Sequence, residues 1–258
     1  MIATMRFTDQ VVLVTGASRG LGAAIARAFA AEGARVVVNY RQNRELAEAL
    51  AAEIQGGSGI AIQADVTVPI EVEAMFDRAE EYFGQPVHTV VNNALPTFSF
   101  NGDARPRLGE ISWTAFDQQF QGIVRGALNT TQAALLGFAK LGCGRIINIG
   151  SNLVANPVVP YHDYTAAKGA LLAFTRTCAA DLGPENVTCN MVSGGLLQTT
   201  DASRSTPEAV FEQVAQAAPL RKVATPEQVA GAVLFFASPW AEATTGQNLN
   251  VDCGLVMT

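Results

Sequence analysis

Residues Val11–Ala30 read VVLVTGASRGLGAAIARAFA. The opening aliphatic run is unbroken, as in a strand buried on both faces, and the closing stretch of small apolar residues around Arg27 predicts a helix. Between them, Thr15 to Gly22 hold glycines at 16, 20 and 22. Glycine permits the tight turn and lets a backbone approach a pyrophosphate without a Cβ collision. A helix that starts directly after such a turn aims its free N–H groups and positive dipole end at phosphates. Strand, glycine turn and helix in this order predict a dinucleotide-binding unit, where a glycine-rich loop alone is ambiguous.

The remaining sequence repeats that alternation. Further strands are predicted at Arg35–Asn39, Gly59–Gln63, Thr89–Asn92, Arg145–Ile149, Val187–Val192 and Gln247–Val251, after a first at Val11–Thr15. Helical stretches such as NRELAEALAAEI and PIEVEAMFDRAEEYFG lie between them. Parallel neighbours need a crossover, so the pattern predicts a doubly wound α/β parallel sheet with helices on both faces. No repeat, low-complexity tract or linker divides the chain, and residues 1–258 are expected to be a single domain. Leu95–Ser112 and Ser193–Pro207 resist regular assignment, and each follows a strand. Ligands of open α/β sheets sit at the carboxyl ends of strands, so both stretches are expected to border the site.

Composition narrows the class. The chain has 258 residues, 49% hydrophobic and only 16% charged, which suits a large core and an exterior partly covered by other subunits. A net charge of −6 argues against a nucleic-acid surface, which needs clustered Lys and Arg. The apolar stretches fall short of the ~18 residues of a membrane span, and the N-terminus lacks the marks of a signal peptide. Cys143, Cys178, Cys189 and Cys253 are scattered, and the histidines are His88 and His162. That pattern suits reduced thiols in a cytoplasmic protein and supplies no metal-ligand cluster.

The end of the second strand should choose the cofactor. An acidic residue about 20 positions after the glycines would bind the ribose hydroxyls of NAD. Here the sequence is Val38-Asn39-Tyr40-Arg41, with no carboxylate. Arg41, joined by Arg19 from the glycine turn, can face a 2′-phosphate through paired charge-assisted hydrogen bonds, which predicts NADP(H). Asp65, ahead of Val66, can accept from an adenine amino group or cap the next helix. Asn92-Asn93-Ala94 end the fourth strand, where small polar side chains can stabilise the loop and touch the ribose.

Tyr164 and Lys168 stand four apart in YTAAK, and Ser151 lies thirteen residues before the tyrosine (164 − 151 = 13). Reducing a carbonyl needs hydride at carbon and a proton at oxygen. A lysine one helical turn from a tyrosine shares its face, and its charge is expected to lower the tyrosine pKa from about 10. The same ammonium can hold a nicotinamide ribose. A serine hydroxyl can orient the substrate oxygen, so general acid catalysis needs no covalent intermediate.

From Thr8 to Leu255 the chain resembles the short-chain dehydrogenase/reductases, with TGASRGLG, NNA, GS and YTAAK in the family's order and spacing. It is most similar in character to the 3-oxoacyl-(acyl-carrier-protein) reductases. The resemblance implies a Rossmann-type fold with a seven-stranded parallel sheet, usually a homotetramer, and catalytic roles for Ser151, Tyr164 and Lys168. It implies a cofactor site drawing on Gly16, Ser18, Arg19, Gly20, Leu21, Gly22, Tyr40, Arg41, Asp65, Val66, Asn93, Ala94, Tyr164, Lys168, Gly195, Leu197 and Thr199. Four departures stand out, one of them Val251-Asp252-Cys253-Gly254 in place of Val-Asp-Gly-Gly near the C-terminus. The family's asparagine that positions a water for the lysine's proton relay falls on Ile123, so a substitute route, slower proton resupply or a helical shift is expected. Leu95 replaces the glycine after NNA, and Gly194-Gly195 replaces Pro-Gly after the sixth strand.

Phe98, Phe100, Leu153, Val154, Val159, Leu196 and Leu197 are candidate pocket walls, favouring a carbonyl or alcohol substrate with a hydrophobic body. Asp201 and Arg204 are expected to be solvated. Arg105, Arg107, Arg125 and Arg204 can offer an acidic carrier protein a basic surface, but the net charge of −6 favours a general carbonyl or secondary-alcohol reaction. The helix from Tyr161 to Leu182 is apolar on two sides, with Ala166, Ala170, Ala173 and Thr177 opposite Leu171, Phe174 and Cys178. One side is expected to meet the sheet and the other a subunit. The competing reading is an NADP-binding sensor or scaffold with weak turnover, motivated by Ile123.

Overall fold

The structure is a computed structural model that describes residues 6–54, 58–96, 98, 105–198, 200 and 203–257. Seven strands, β1 (Val11–Val14), β2 (Arg35–Tyr40), β3 (Gly59–Gln63), β4 (Thr89–Asn92), β5 (Gly144–Ser151), β6 (Val187–Gly194) and β7 (Asn248–Val251), form one sheet. Its order is β3-β2-β1-β4-β5-β6-β7, and every neighbouring pair is parallel. The connecting helices are α1 (Gly20–Ala31), α2 (Arg44–Glu53), α3 (Pro69–Phe83), α4 (Trp113–Phe120), α5 (Gly126–Leu141), α6 (His162–Leu182), α7 (Glu208–Ala217) and α8 (Pro226–Ala237). This is the Rossmann-type doubly wound α/β fold. The chain winds outward in both directions from β1 and β4, so a crevice opens beyond their carboxyl ends.

Alternate side chains of a strand face opposite sides, and the sheet therefore feeds two cores. Val12, Val14, Val36, Val38, Val91 and Ile147 meet Phe29 of α1 and Val233 and Phe236 of α8 on one face. Leu13, Val37, Val90 and Ile146 meet Met75 of α3, Phe138 of α5 and Leu182 of α6 on the other. Each fully buried aromatic or aliphatic side chain contributes about 1.5–3 kcal/mol, so the central strands hold the crevice rigidly. Edge strands β3 and β7 are only partly buried.

Two boundaries bear on the site. The expected fifth and sixth strands stop short of the observed ones, because β5 and β6 remain paired as far as Ser151 and Gly194. Ser151 is thus the last residue of a strand buried along its length. The expected helix at Tyr161 begins one residue later, at His162. Among the described residues between β4 and α4 there is no strand or helix, as expected for that stretch. All four cysteines are free. Among the described residues, no helix is long and apolar enough to cross a membrane, and no group of His, Cys, Asp or Glu could hold a metal.

Candidate active site

The glycine turn after β1 is pressed against the end of β4. Gly16 has φ +61°, and a Cβ there would lie 3.0 Å from the Cα of Ala94. A Cβ on Gly22 would come within 2.6 Å of Asn93 Nδ2 and of the Gly16 carbonyl oxygen. Polar side chains stitch this corner. Thr15 Oγ1 donates to the Val91 carbonyl at 3.2 Å and accepts from the Asn93 and Ala94 amides, both at 2.9 Å. Asn93 Nδ2 donates to the Thr15 and Gly16 carbonyls at 2.9 and 3.2 Å.

Asn39, at the end of β2 and buried, accepts from the Gly16 amide at 3.1 Å and donates to the Ala64 carbonyl at 3.1 Å. Its own carbonyl accepts from Ala17 N at 2.8 Å. In the sequence, Asn39 stands out only as the absence of a carboxylate, and Thr15 as the residue ahead of the glycines. Asn39→Ala is expected to lose about 1–3 kcal/mol of stability by leaving the Gly16 N–H and Ala64 C=O unpaired. It should weaken dinucleotide binding about tenfold or more, since 1.4 kcal/mol is tenfold. Thermal melts and a fluorescence titration read both effects.

The first turn of α1 has no side-chain cap: Arg19 occupies the N-cap position with extended backbone, and its guanidinium offers no acceptor for the helix N–H groups. Its free N–H groups and the cleared space over the glycines fit a pyrophosphate. Ser18 and Leu21 are half-buried beside them, and Arg19 is exposed. At the end of β2, the Tyr40 ring packs into the core rather than toward the crevice. Arg41 is exposed and lies 3.6 Å from Asp65 in an ion pair of the weak surface kind. Burial works to raise the Asp65 carboxyl, but hydrogen bonds from the Thr67 N–H and hydroxyl, with Arg41's charge, outweigh it and hold the group below its ordinary value. Val66 is buried; its carbonyl accepts from Asn129 Nδ2 at 2.8 Å, and its side chain packs on Gly126.

Ser151, Tyr164 and Lys168 converge at the carboxyl end of β5 and the start of α6, each 6% exposed or less. The Ser151 hydroxyl is close enough to the Tyr164 phenol to favour its ionised form. Lys168 Nζ donates to the Ile149 carbonyl at 2.6 Å and sits 5.7 Å from the centre of the Tyr164 ring. The expected lowering of the tyrosine pKa does not arise in the protein alone. Burial pushes the phenol up to about 12, against the Ser151 hydroxyl, and pushes the Lys168 amine down to about 7. Groups taken out of water favour their neutral form, and desolvation is the leading cause for both.

Ile123 lies in a single π-helical turn, Gln121–Arg125, between α4 and α5. Its side chain is buried among Tyr161, Tyr164, Ala167 and Leu171. With Asn92, Gly122 and Lys168 it lines a small cavity, so an isoleucine stands on the same cavity as the lysine.

Phe98, Leu153 and Val159 pack around Tyr161 and Tyr164, as pocket walls would. Val154 and Leu196 are half-buried nearby in sequence, while Leu197 packs toward Ala218 and Ala224. Phe100, Thr199 and Asp201 lie outside the described residues. Arg107, Arg125 and Arg204 are exposed, but Arg105 is paired internally with Asp163 and is not a free surface base.

The C-terminal segment also reaches the site. Asn152, directly after Ser151, donates to Asp252 at 2.9 Å, and Asp252 accepts from the Gly254 and Val256 amides at 3.1 Å. A Cβ on Gly195 would fall 2.9 Å from Asn152 Nδ2 and 3.0 Å from Asp252 Cβ, so this pair also fixes the loop after β6. Nothing local in the sequence ties Asp252 to residue 152.

The crevice, uncapped helix and buried Ser-Tyr-Lys set define a dinucleotide-dependent oxidoreductase site. Residues 16–256 match the family described as enoyl-(acyl carrier protein) reductase. The chain belongs to the short-chain dehydrogenase/reductases, and it is an enzyme of that nicotinamide-dependent family. It is 39% identical to a 3-oxoacyl-[acyl-carrier-protein] reductase of Synechocystis, covering 97% of this chain and 98% of that one. It is 38% identical to a short-chain type dehydrogenase/reductase of Picea abies, over 96% and 92% of the two chains. A versicolorin reductase of Emericella nidulans is 37% identical over 96% of each. A crystal structure from Agrobacterium tumefaciens, provisionally named a gluconate dehydrogenase, superposes with a TM-score of 0.88 at 26% identity, over 99% of both chains.

Proposed function

We propose that this enzyme is an NADP(H)-dependent reductase of carbonyl compounds, acting in reverse on secondary alcohols. The observation that carries the reading is the convergence of Ser151, Tyr164 and Lys168 beside a glycine turn whose neighbouring strand, β2, is followed by Arg41 rather than a carboxylate. When bound, the nicotinamide supplies the hydride to the carbonyl carbon. Ser151 Oγ donates a hydrogen bond to the carbonyl oxygen and orients it. Tyr164 Oη delivers the proton to that oxygen; its high pKa keeps it protonated at neutral pH, as a donor must be. Lys168, near half-protonated at neutral pH with its pKa at about 7, can both supply a proton toward Tyr164 and take one back. Gly16, Ser18, Gly20, Leu21 and Gly22 cradle the pyrophosphate. Asp65, Val66, Asn93 and Ala94 would border the adenosine, and Gly195 and Leu197 the nicotinamide, to which the family resemblance adds Thr199.

Arg41 and Arg19 bind the 2′-phosphate in this reading. Arg41→Asp is expected to lower kcat/KM with NADPH by about 10- to 100-fold, since a hydrogen bond to a charged group contributes about 1.5–3 kcal/mol. The NADH value should stay level or rise. A wild type that uses NADH as well as NADPH would contradict the assignment.

The primary test is NADPH fluorescence on binding, followed by its oxidation over a panel of ketones, 3-oxoacyl thioesters and quinones. The Synechocystis relative supports including the thioesters. Tight binding without consumption of any carbonyl would favour a sensor, the reading that the buried Ile123 motivates. The proposal extends to a single cytoplasmic domain assembled as a homotetramer. Ala173 and Thr177 on α6, and Phe235, Trp240 and Leu249 near the C-terminus, stand exposed and support subunit contacts. A stable monomer by light scattering would reject the tetramer.

A further inference from the structure

Arg105 and Asp163 form an ion pair in which one guanidinium nitrogen, Nη2, donates to both carboxylate oxygens, at 2.6 and 2.5 Å. The Asp163 side chain is 3% exposed and that of Arg105 19%. A carboxylate removed from water needs its cation partner, so the pair binds the segment before α4 firmly to the first turn of α6. Asp163 immediately precedes Tyr164, and a negative charge in the first turn of a helix is favoured by the dipole. The Arg105 guanidinium also lies over the Phe98 ring, 4.4 Å from its centre. Phe98 in turn stacks on Tyr164, with ring centres 4.9 Å apart and planes 30° apart, and meets Tyr161 edge-on at 5.3 Å. The ion pair thus reaches the tyrosine twice, along α6 and across Phe98.

We propose that the Arg105–Asp163 pair is a latch that positions Phe98 as the specificity-determining wall of the carbonyl site. The inference rests on the proposed reductase reaction. A carbonyl oxygen that reaches Tyr164 Oη and Ser151 Oγ carries its substituents alongside Phe98, because Phe98 lies against the ring that bears that Oη. Stacking, the edge-on contact and the cation over its face fix where Phe98 sits, and so how bulky a substituent the site admits. Leu153 and Val159, in the same apolar cluster, complete the surround. Arg105 and Asp163 are positioning residues: they act through Phe98 and have no part in the proton steps.

The test is a ketone series of increasing substituent bulk, assayed with NADPH and scored as the ratio of kcat/KM for the bulkiest and smallest members. Phe98→Ala should raise that ratio about tenfold and Phe98→Trp should lower it, the scale on which a pocket discriminates by a few carbon atoms. Arg105→Ala and Asp163→Asn should move the ratio in the same direction as Phe98→Ala, with the change mainly in KM. Arg105→Lys, which keeps a charge for Asp163 but loses the planar group over Phe98, should fall between wild type and Arg105→Ala. The double variant Phe98→Ala/Arg105→Ala should show the ratio of Phe98→Ala alone.

NADPH titration and melting curves show which variants are folded. If the latch variants do not fold, opposite shifts in the two Phe98 variants still support the wall. An unchanged ratio in Phe98→Ala and Phe98→Trp overturns it. Latch variants that lose kcat equally for every ketone, at a constant ratio, reduce the pair to a structural role and overturn the latch while leaving the reductase reading intact. A wild type that binds NADPH and reduces no carbonyl overturns both.

Discussion

Tyr164→Phe is expected to lower kcat/KM for carbonyl reduction by about 10²- to 10⁴-fold, the range over which a positioned general acid contributes. The substitution removes one oxygen from a group 6% exposed, so the ring keeps its stack on Phe98 and its place in the apolar cluster. NADPH affinity should therefore hold within about threefold, because the phosphate cradle is built by the turn after β1 and not by this hydroxyl. Stopped-flow or steady-state assays with a reactive ketone, paired with fluorescence titration, measure the two quantities separately. Retention of wild-type turnover would remove Tyr164 from the proton step and leave Ser151 or Lys168 as donor.

The second large effect is an acid sensitivity located at the far end of the sheet from the active site. His88 directly precedes β4 and is 1% exposed. The Thr89 hydroxyl donates to Gln10 Oε1 at 2.9 Å, so at its 2.9 Å contact with His88 the proton belongs to imidazole Nδ1. Nε2 is then an acceptor, buried without a partner among the described residues. Burial, with a smaller push from the Arg145 charge, drives His88 down to about 3. The unfolded chain binds its proton near pH 6.5 and the folded one resists until about pH 3, so stability is lost as pH falls through that window. At 1.36 kcal/mol per unit the loss approaches about 5 kcal/mol at its limit, comparable to the whole stability of many domains.

Urea midpoints between pH 7 and pH 4 should fall steeply in the wild type and less steeply in His88→Gln. Carboxylates titrate in the same window, and the difference between the two slopes isolates the histidine. Parallel slopes would count against a buried neutral His88. Activity at pH 7 should change little, because His88 lies at the opposite strand ends from Ser151.

Much of this molecule is readable one segment at a time. β1 was visible because Val11 to Val14 are aliphatic without interruption, and α1 because small residues follow directly on Gly20 and Gly22. Six further strands were placed to within about two residues at their ends, the usual precision where only hydrogen-bonding partners decide how far a strand runs. β5 shows why: Arg145–Ile149 was legible as a β-branched run, but Gly150 and Ser151 join the strand only because β6 continues alongside them. At the adenosine end, Arg41 and Asp65 were both picked as site residues, and the fold adds that they face one another. Tyr40 stands beside Arg41 in the sequence, and alternation along the strand places its ring in the core cluster with Val36 and Val38.

What the sequence determined by itself was the order of elements, the glycine turn between β1 and α1 and the spacing of Ser151, Tyr164 and Lys168. Those depend on periodicity and short spacing, which are properties of neighbouring residues. Tertiary structure alone decided that Asn39 holds Gly16, that Asp252 ties down Asn152 from 100 residues away, and that Arg105 closes on Asp163. It also decided that burial pushes the Tyr164 phenol up and the Lys168 amine down. Hydrogen bonds between distant segments follow from where the sheet brings those segments, and desolvation of Tyr164 and Lys168 follows from everything packed around them. Neither is a property of any window of the chain.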